Sequence, residues 1–154
     1  MAGAMTDAGA KPSRASVWLM AVRPATLPAA VAPVLVGLAV AIGQGVFRPL
    51  PAAAAIAVAL LLQVAANLAN DLFDFRSGAD CADRLGPPRV AAMGLIGQRE
   101  LAIATAVVVG AAGLVGLYLV SIGGVPFLLI GAAAIVSLLA YTGGPWPYGY
   151  HGLG

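Results

Sequence analysis

The chain has 154 residues, of which 61% are hydrophobic and only 9% charged, with a mean hydropathy of +0.97. That balance excludes an ordinary soluble globular domain and defines a membrane protein. A formal net charge of +2 is too small to suggest a nucleic-acid partner, and the lone cysteine, Cys81, excludes an internal disulfide framework.

In chain order, residues 1–15 are rich in Ala and Gly, carry two basic residues and predict a disordered tail. The apolar run that follows is long and leads to further spans, so it does not read as a cleavable signal, and the N-terminus is expected to be retained. The membrane domain is expected over 16–154, with a first span at about 18–42 interrupted by Pro24, Pro28 and Pro33. Proline is tolerated in a membrane helix when neighbours satisfy the freed backbone groups, which predicts a kinked helix. Arg23, just inside this span, reads either as a snorkelling residue or as an anion contact facing a polar cavity.

A short connection, 43–50, carries only Arg48, and the second span runs from about 51 to 75. At ~1.5 Å per residue this span exceeds the ~30 Å hydrocarbon core, so its polar end can emerge at the interface. That end carries Gln63, Asn67, Asn70, Asp71 and Asp74, at steps of four, three, one and three. On a helix all five share one face. A polar, charged segment with Gly78, Gly86, Pro87 and Pro88 follows, and those residues prevent a continuous helix. The third span is expected at about 101–120, an uncharged turn at 121–124, and the fourth span at about 125–141. Small residues in both, including Gly110, Gly113, Gly116 and Gly131, predict close helix packing in lipid. The ending, TGGPWPYGYHGLG, reads as an ordered loop near the interface.

Basic residues concentrate before the first span and between the second and third. The positive-inside rule then places the N-terminus, the charged loop and the C-terminus in the cytoplasm, with the acidic stripe opening to that side. The fold class is therefore an all-α, multi-pass transmembrane bundle of about four spans.

The stripe has a plain structural reading, in which Gln63, Asn67 and Asn70 are polar links between helices and Asp71 and Asp74 mark a helix end. Against it stands the crowding of Asp71, Asp74, Asp80 and Asp83 on the helix end and the loop it feeds. Clustered carboxylates repel unless a cation joins them, and an oxygen-rich site without His or Cys favours Mg²⁺. Arg84 and Arg89 are spaced to grip phosphates that share such an ion. Together these features predict a membrane pocket for an amphiphile with a diphosphate head and a hydrocarbon tail. A metal and arginines there can stabilise departing pyrophosphate, leaving an allylic cation that a dry pocket shields from water.

Asn70-Asp71-Leu72-Phe73-Asp74, preceded by Asn67 and followed by GADCADRLGPPR, resembles the first aspartate-rich motif of the UbiA superfamily of intramembrane prenyltransferases. With RPATLP at 23–28 and the ending YTGGPWPYGYHGLG, the resemblance is closest to the branch that prenylates 1,4-dihydroxy-2-naphthoate, and it extends from Trp18 onward. It implies transfer of a polyprenyl group from polyprenyl diphosphate to that aromatic acceptor, with loss of the ring carboxylate as carbon dioxide, in the menaquinone pathway and at the cell inner membrane. By the same resemblance Asn67, Asn70, Asp71 and Asp74 would hold Mg²⁺-diphosphate, Asp80 and Asp83 would extend the acidic loop, and Arg84 and Arg89 would contact phosphate. Other branches place a third aspartate where this chain has Gly78; Asp80, two residues later, follows the branch pattern. Tyr141 and Tyr148 read as contacts for the cation or acceptor, or as interfacial anchors. His151 reads as a base or as a loop residue.

The family is built from about nine helices with a second aspartate-rich motif in its latter half. This chain is expected to be the front half of such an enzyme and inactive alone. Two alternatives stand beside it: a related prenyltransferase with another aromatic acceptor, and a small membrane binding or transport protein. Transport would require a polar path on a second helix, and the last two spans offer only Thr105, Ser121 and Ser137.

Overall fold

A computed structural model of the chain describes residues 12–78 and 89–153. The described residues form five α-helices and no strand: α1 (Arg14–Val22), α2 (Leu27–Gly43), α3 (Pro49–Ser77), α4 (Gln98–Gly123) and α5 (Val125–Ala140). Short 3-10 turns lie at Pro24–Thr26 and Tyr148–His151. The segment Arg14–Gly43, α3 and α4 are each long and apolar enough to cross a membrane; α5, with 16 residues, is a shorter apolar helix. The expected fourth span is thus present but reaches only ~24 Å.

The first span is broken, not kinked. Arg23 closes α1 in a left-handed conformation (φ 54°, ψ 68°), and Pro24 starts the 3-10 turn that leads into α2. The cause is local: the residue before a proline is pushed out of the α region, and Pro24 removes a donor at the same point. Pro28 falls in the first turn of α2, where its missing N–H costs nothing, and Pro33 is carried inside that helix. At the front, Ser13 caps α1 through its hydroxyl, which accepts from the Ser16 amide at 3.2 Å, so Arg14 and Ala15 are helical and not part of a tail. The turn expected over 121–124 shrinks to a single residue, because α4 continues to Gly123 and Gly124 (φ 68°, ψ −155°) reverses the chain in a conformation open essentially to glycine.

α3 is the axis of the molecule and packs against each of the other four helices, most extensively against α4. Its two ends differ. The half that carries the polar stripe is sealed: Leu68 and Leu72 join Val17 and Ala21 of α1, Val90, Ala91 and Ile96 of the following loop, and Leu101 of α4 in one core. Ala65 and Ala69 meet Leu138 of α5 in a second. Elsewhere the helices present large apolar side chains outward, among them Val36 (66% exposed), Leu114 (74%) and Ile130 (67%), as lipid-facing surfaces do.

Close packing does not explain the glycines of α4 and α5. A Cβ added at Gly110, Gly113, Gly116 or Gly131 would meet nothing within 4 Å. Those glycines instead line an apolar cavity of about 440 Å³ between the middle of α3, α4 and α5. Side chains that would fill the space between the three helices are simply missing.

Candidate functional site

The start of α1, the end of α3 and the start of α4 lie at one end of the bundle. Arg14 reaches Glu100 at 2.6 Å, and Arg76 donates to Gln98 at 3.2 Å. The polar stripe of α3 ends in this region, and its five members are tied to the α1–α2 break, the end of α5, and the segments around residues 89–91 and 150.

Gln63 and Asn67 face the break between α1 and α2. Asn67 donates its amide to the Val22 carbonyl (2.7 Å) and to the Thr26 hydroxyl (2.9 Å), and Gln63 donates to the same hydroxyl at 3.3 Å. Thr26 in turn donates to the Arg23 carbonyl. A helix broken inside apolar surroundings exposes carbonyls that lack intrahelical partners, and these side chains satisfy them. One turn on, Asn70 accepts through Oδ1 from Thr142 at 2.9 Å, which holds the end of α5 to α3.

The two carboxylates are the most enclosed members. Asp71 is 1% exposed and accepts from the backbone amides of Val90 (3.2 Å) and Ala91 (3.4 Å), while the charges of Arg89 and Arg23 both bear on it. Asp74 pairs through Oδ2 with Arg89, in a contact whose side chains are 3% and 8% exposed respectively, and accepts through Oδ1 from the Tyr150 hydroxyl. Thus the segment Arg89-Val90-Ala91 folds back onto α3 and supplies both carboxylates with donors.

Of the residues expected at the site, Asp71, Asp74 and Arg89 come together, Asn67 and Asn70 share their helix face but bond to the α1–α2 break and to Thr142, and Arg23 is half-buried at that break. Asp80, Asp83 and Arg84 lie outside the described residues. Tyr148 turns away from the stripe: its hydroxyl donates to the Ser137 carbonyl at 3.0 Å, and its ring meets Tyr141 edge-on at 5.3 Å between centroids. His151 is exposed and stacks on Trp146 at 4.7 Å, the position of a loop residue. The tyrosine that reaches the carboxylates is Tyr150. Burial and the bond to Asp74 push its hydroxyl above the ordinary value of 10.0, so it carries its proton at neutral pH. Sequence reasoning missed Tyr150, Thr26 and Thr142. The signal was faint: each is a hydroxyl in a segment already singled out, RPATLP or YTGGPWPYGY, and nothing local says which one faces α3.

The ending is not purely a loop, since Tyr148–His151 makes one 3-10 turn. That turn is seated by Gly149, whose amide donates to the Tyr141 carbonyl at 2.9 Å. A Cβ on Gly149 would lie 2.8 Å from that carbonyl and 2.9 Å from the Tyr141 ring, so no other residue allows this approach. The tight seat fixes where Tyr150 starts.

Among the described residues, no three Asp, Glu, His or Cys side chains form a cage able to hold a metal ion alone. The oxygens that share this face of α3, from Asp71, Asp74 and Asn70, are hard donors. Mg²⁺ needs only one or two carboxylates when substrate phosphates and water complete its shell. The residues therefore fit an ion that arrives with a phosphorylated ligand, not a preformed cation site. Of the remaining polar candidates for a second path, Thr105 and Ser121 are used locally, their hydroxyls donating to the Leu101 and Tyr118 carbonyls.

A helical integral membrane protein with an aspartate–arginine site at one end of its central helix matches the UbiA prenyltransferase family over residues 30–154, and the chain belongs to that family. Among curated relatives it is 44% identical over 148 residues to the 1,4-dihydroxy-2-naphthoate octaprenyltransferase of Escherichia coli strain K12, an alignment covering 92% of this chain and 48% of the relative. Enzymes of the same name from Haemophilus influenzae (37%, 90% of this chain and 47% of the relative) and Mycobacterium tuberculosis (36%, 89% and 47%) are also similar. The chain spans about half the length of the curated relatives it matches. No solved structure matches it significantly.

Proposed function

We propose that the full-length protein transfers a polyprenyl group from polyprenyl diphosphate to 1,4-dihydroxy-2-naphthoate, with decarboxylation, as a step of menaquinone synthesis at the cell inner membrane. The observation that carries this reading is the buried pair of Asp74 with Arg89 beside Asp71, which accepts from the Val90 and Ala91 amides at the polar end of α3, in a chain similar over 92% of its length to an enzyme named for that acceptor.

In this reading Asp71 and Asp74, with Asn70 and Asn67 directly or through water, hold Mg²⁺ that enters with the diphosphate. When bound, the ion offsets negative charge on the departing pyrophosphate. Arg89 neutralises Asp74 in a buried pair, and its fork of donors is of the kind that would bind phosphate oxygens if a cation took its place on that carboxylate. Arg23, held in its left-handed conformation by the Thr26–Asn67 links, adds positive charge on the α1 side. Asp80, Asp83 and Arg84 extend the diphosphate loop, and Tyr141 and Tyr148 shape the wall on the α5 side. The site opens to the cytoplasm, where a charged diphosphate is available.

The test is transfer of radiolabelled prenyl diphosphate to dihydroxynaphthoate by the full-length protein in membranes with Mg²⁺. Asp71→Asn and Asp74→Asn are each expected to lower turnover by about 100-fold or more. Near-normal turnover in both variants removes the metal-diphosphate assignment. Transfer only to a different phenolic acceptor removes the substrate and leaves the reaction class.

A further inference from the structure

Tyr150 lies 76 residues from Asp74 in the chain, yet its hydroxyl donates to Asp74 Oδ1 while Arg89 occupies Oδ2. The two partners differ in a way that matters for a cation. Arg89 carries a positive charge and competes with any metal at that carboxylate; Tyr150 is neutral and does not. A carboxylate attached to a helix by one methylene can rotate, and the incoming ion finds the right oxygen only if something holds the other. Tyr150 is itself held, by the seat of Gly149 on Tyr141 and by Ser77, whose Oγ lies 3.3 Å from the tyrosine hydroxyl and 3.1 Å from the Asp74 carbonyl.

We propose that Tyr150 is the positioning residue for Asp74: its hydroxyl fixes the carboxylate so that Oδ2, exposed when Arg89 leaves, presents to a diphosphate-bound divalent cation. This rests on the reading of Asp74 as a metal ligand given above. Partners of metal ligands orient them and commonly change metal affinity by about 10- to 100-fold when removed. The role is separable from packing because the residue is 47% exposed. Removing its hydroxyl deletes a hydrogen bond and leaves no cavity.

The experiment uses the full-length protein in detergent with inorganic pyrophosphate present, and Mn²⁺ as a spectroscopic stand-in for Mg²⁺. Binding of the Mn²⁺–pyrophosphate complex is followed by the change in water-proton relaxation when it joins the protein, and folding by the thermal midpoint. Tyr150→Phe is expected to weaken Mn²⁺ binding about tenfold at an unchanged thermal midpoint, and to raise the half-saturating Mg²⁺ of prenyl transfer by the same factor while turnover at saturating Mg²⁺ is retained. Trp146→Ala, in the neighbouring exposed position, is expected to keep wild-type affinity. Wild-type affinity in Tyr150→Phe overturns the proposal, provided Asp74→Asn has lost binding. A lowered thermal midpoint in Tyr150→Phe overturns it as well, since the hydroxyl would then serve the fold. If the wild-type protein binds no Mn²⁺ and Asp74→Asn behaves identically, the metal reading of α3 falls, and the positioning role with it.

Discussion

Asp74 and Arg89 form a charge pair whose side chains are 3% and 8% exposed, whereas Arg14 and Glu100 form one whose side chains are 81% and 49% exposed. The physics of the two differs sharply. A buried pair broken by removing one partner leaves an uncompensated charge away from water and costs about 3–5 kcal/mol, while an exposed pair is worth about 0–1 kcal/mol. Arg89→Ala is therefore expected to lower the thermal midpoint of the detergent-solubilised protein clearly, and Arg14→Ala to leave it nearly unchanged. Equal effects would show that Asp74 finds another cation. The carboxylates themselves were legible in the sequence because helical periodicity places Asp71 and Asp74 on the face of Asn67 and Asn70. Their donors were not. Tyr150 and Arg89 act from other segments, and the backbone amides of Val90 and Ala91 carry no side-chain signature at all.

At the level of elements, the break between α1 and α2 is held mainly by the Asn67 amide, with Gln63 a second donor to Thr26. Asn67 reaches both the Val22 carbonyl and Thr26, at 2.7 and 2.9 Å, and is 4% exposed, so water cannot replace it. Asn67→Ala is expected to destabilise the protein by about 1–3 kcal/mol through the unpaired carbonyl, even before any effect on a ligand. The readout is thermal unfolding without substrate; an unchanged midpoint would mean that the break closes its own hydrogen bonds. The sequence showed prolines in this span but not which one interrupts it, because Pro28 and Pro33 are absorbed in helix while Pro24 is not. The glycines of α4 misled for a related reason. Small residues allow close approach without enforcing it, and around Gly113 and Gly116 the helices leave a cavity instead. Gly113→Ala and Gly116→Ala should each stabilise α4 by about 0.5–1 kcal/mol, from backbone entropy alone. A loss of stability would mark the cavity as filled in the full-length protein.

Across the whole molecule, polar chemistry gathers at one end. α1 begins there, α3 ends there and α4 begins there, with Arg14, Arg76, Arg89 and Arg99 near the acidic stripe, whereas the α2–α3 connection at the far end carries Arg48. This asymmetry was legible from composition and hydropathy alone, since apolar runs and charge counts need no tertiary information, and it accounts for how much of the fold could be read in advance. It also predicts an orientation. Basic residues in short connections are held on the cytoplasmic side, so the arginine-rich end should face the cytoplasm and residue 48 the opposite side. In intact cells carrying a Cys81→Ser background, a membrane-impermeant thiol reagent is expected to label Arg48→Cys and to spare Arg76→Cys and Arg99→Cys until the membrane is opened. Arg48 stands before α3 in extended backbone and Arg76 and Arg99 lie at helix ends, so all three positions are placed to report a side. The reverse pattern would put the aspartates outside the cell, where no cytoplasmic pool of prenyl diphosphate could reach them, and would remove the proposed reaction together with the orientation.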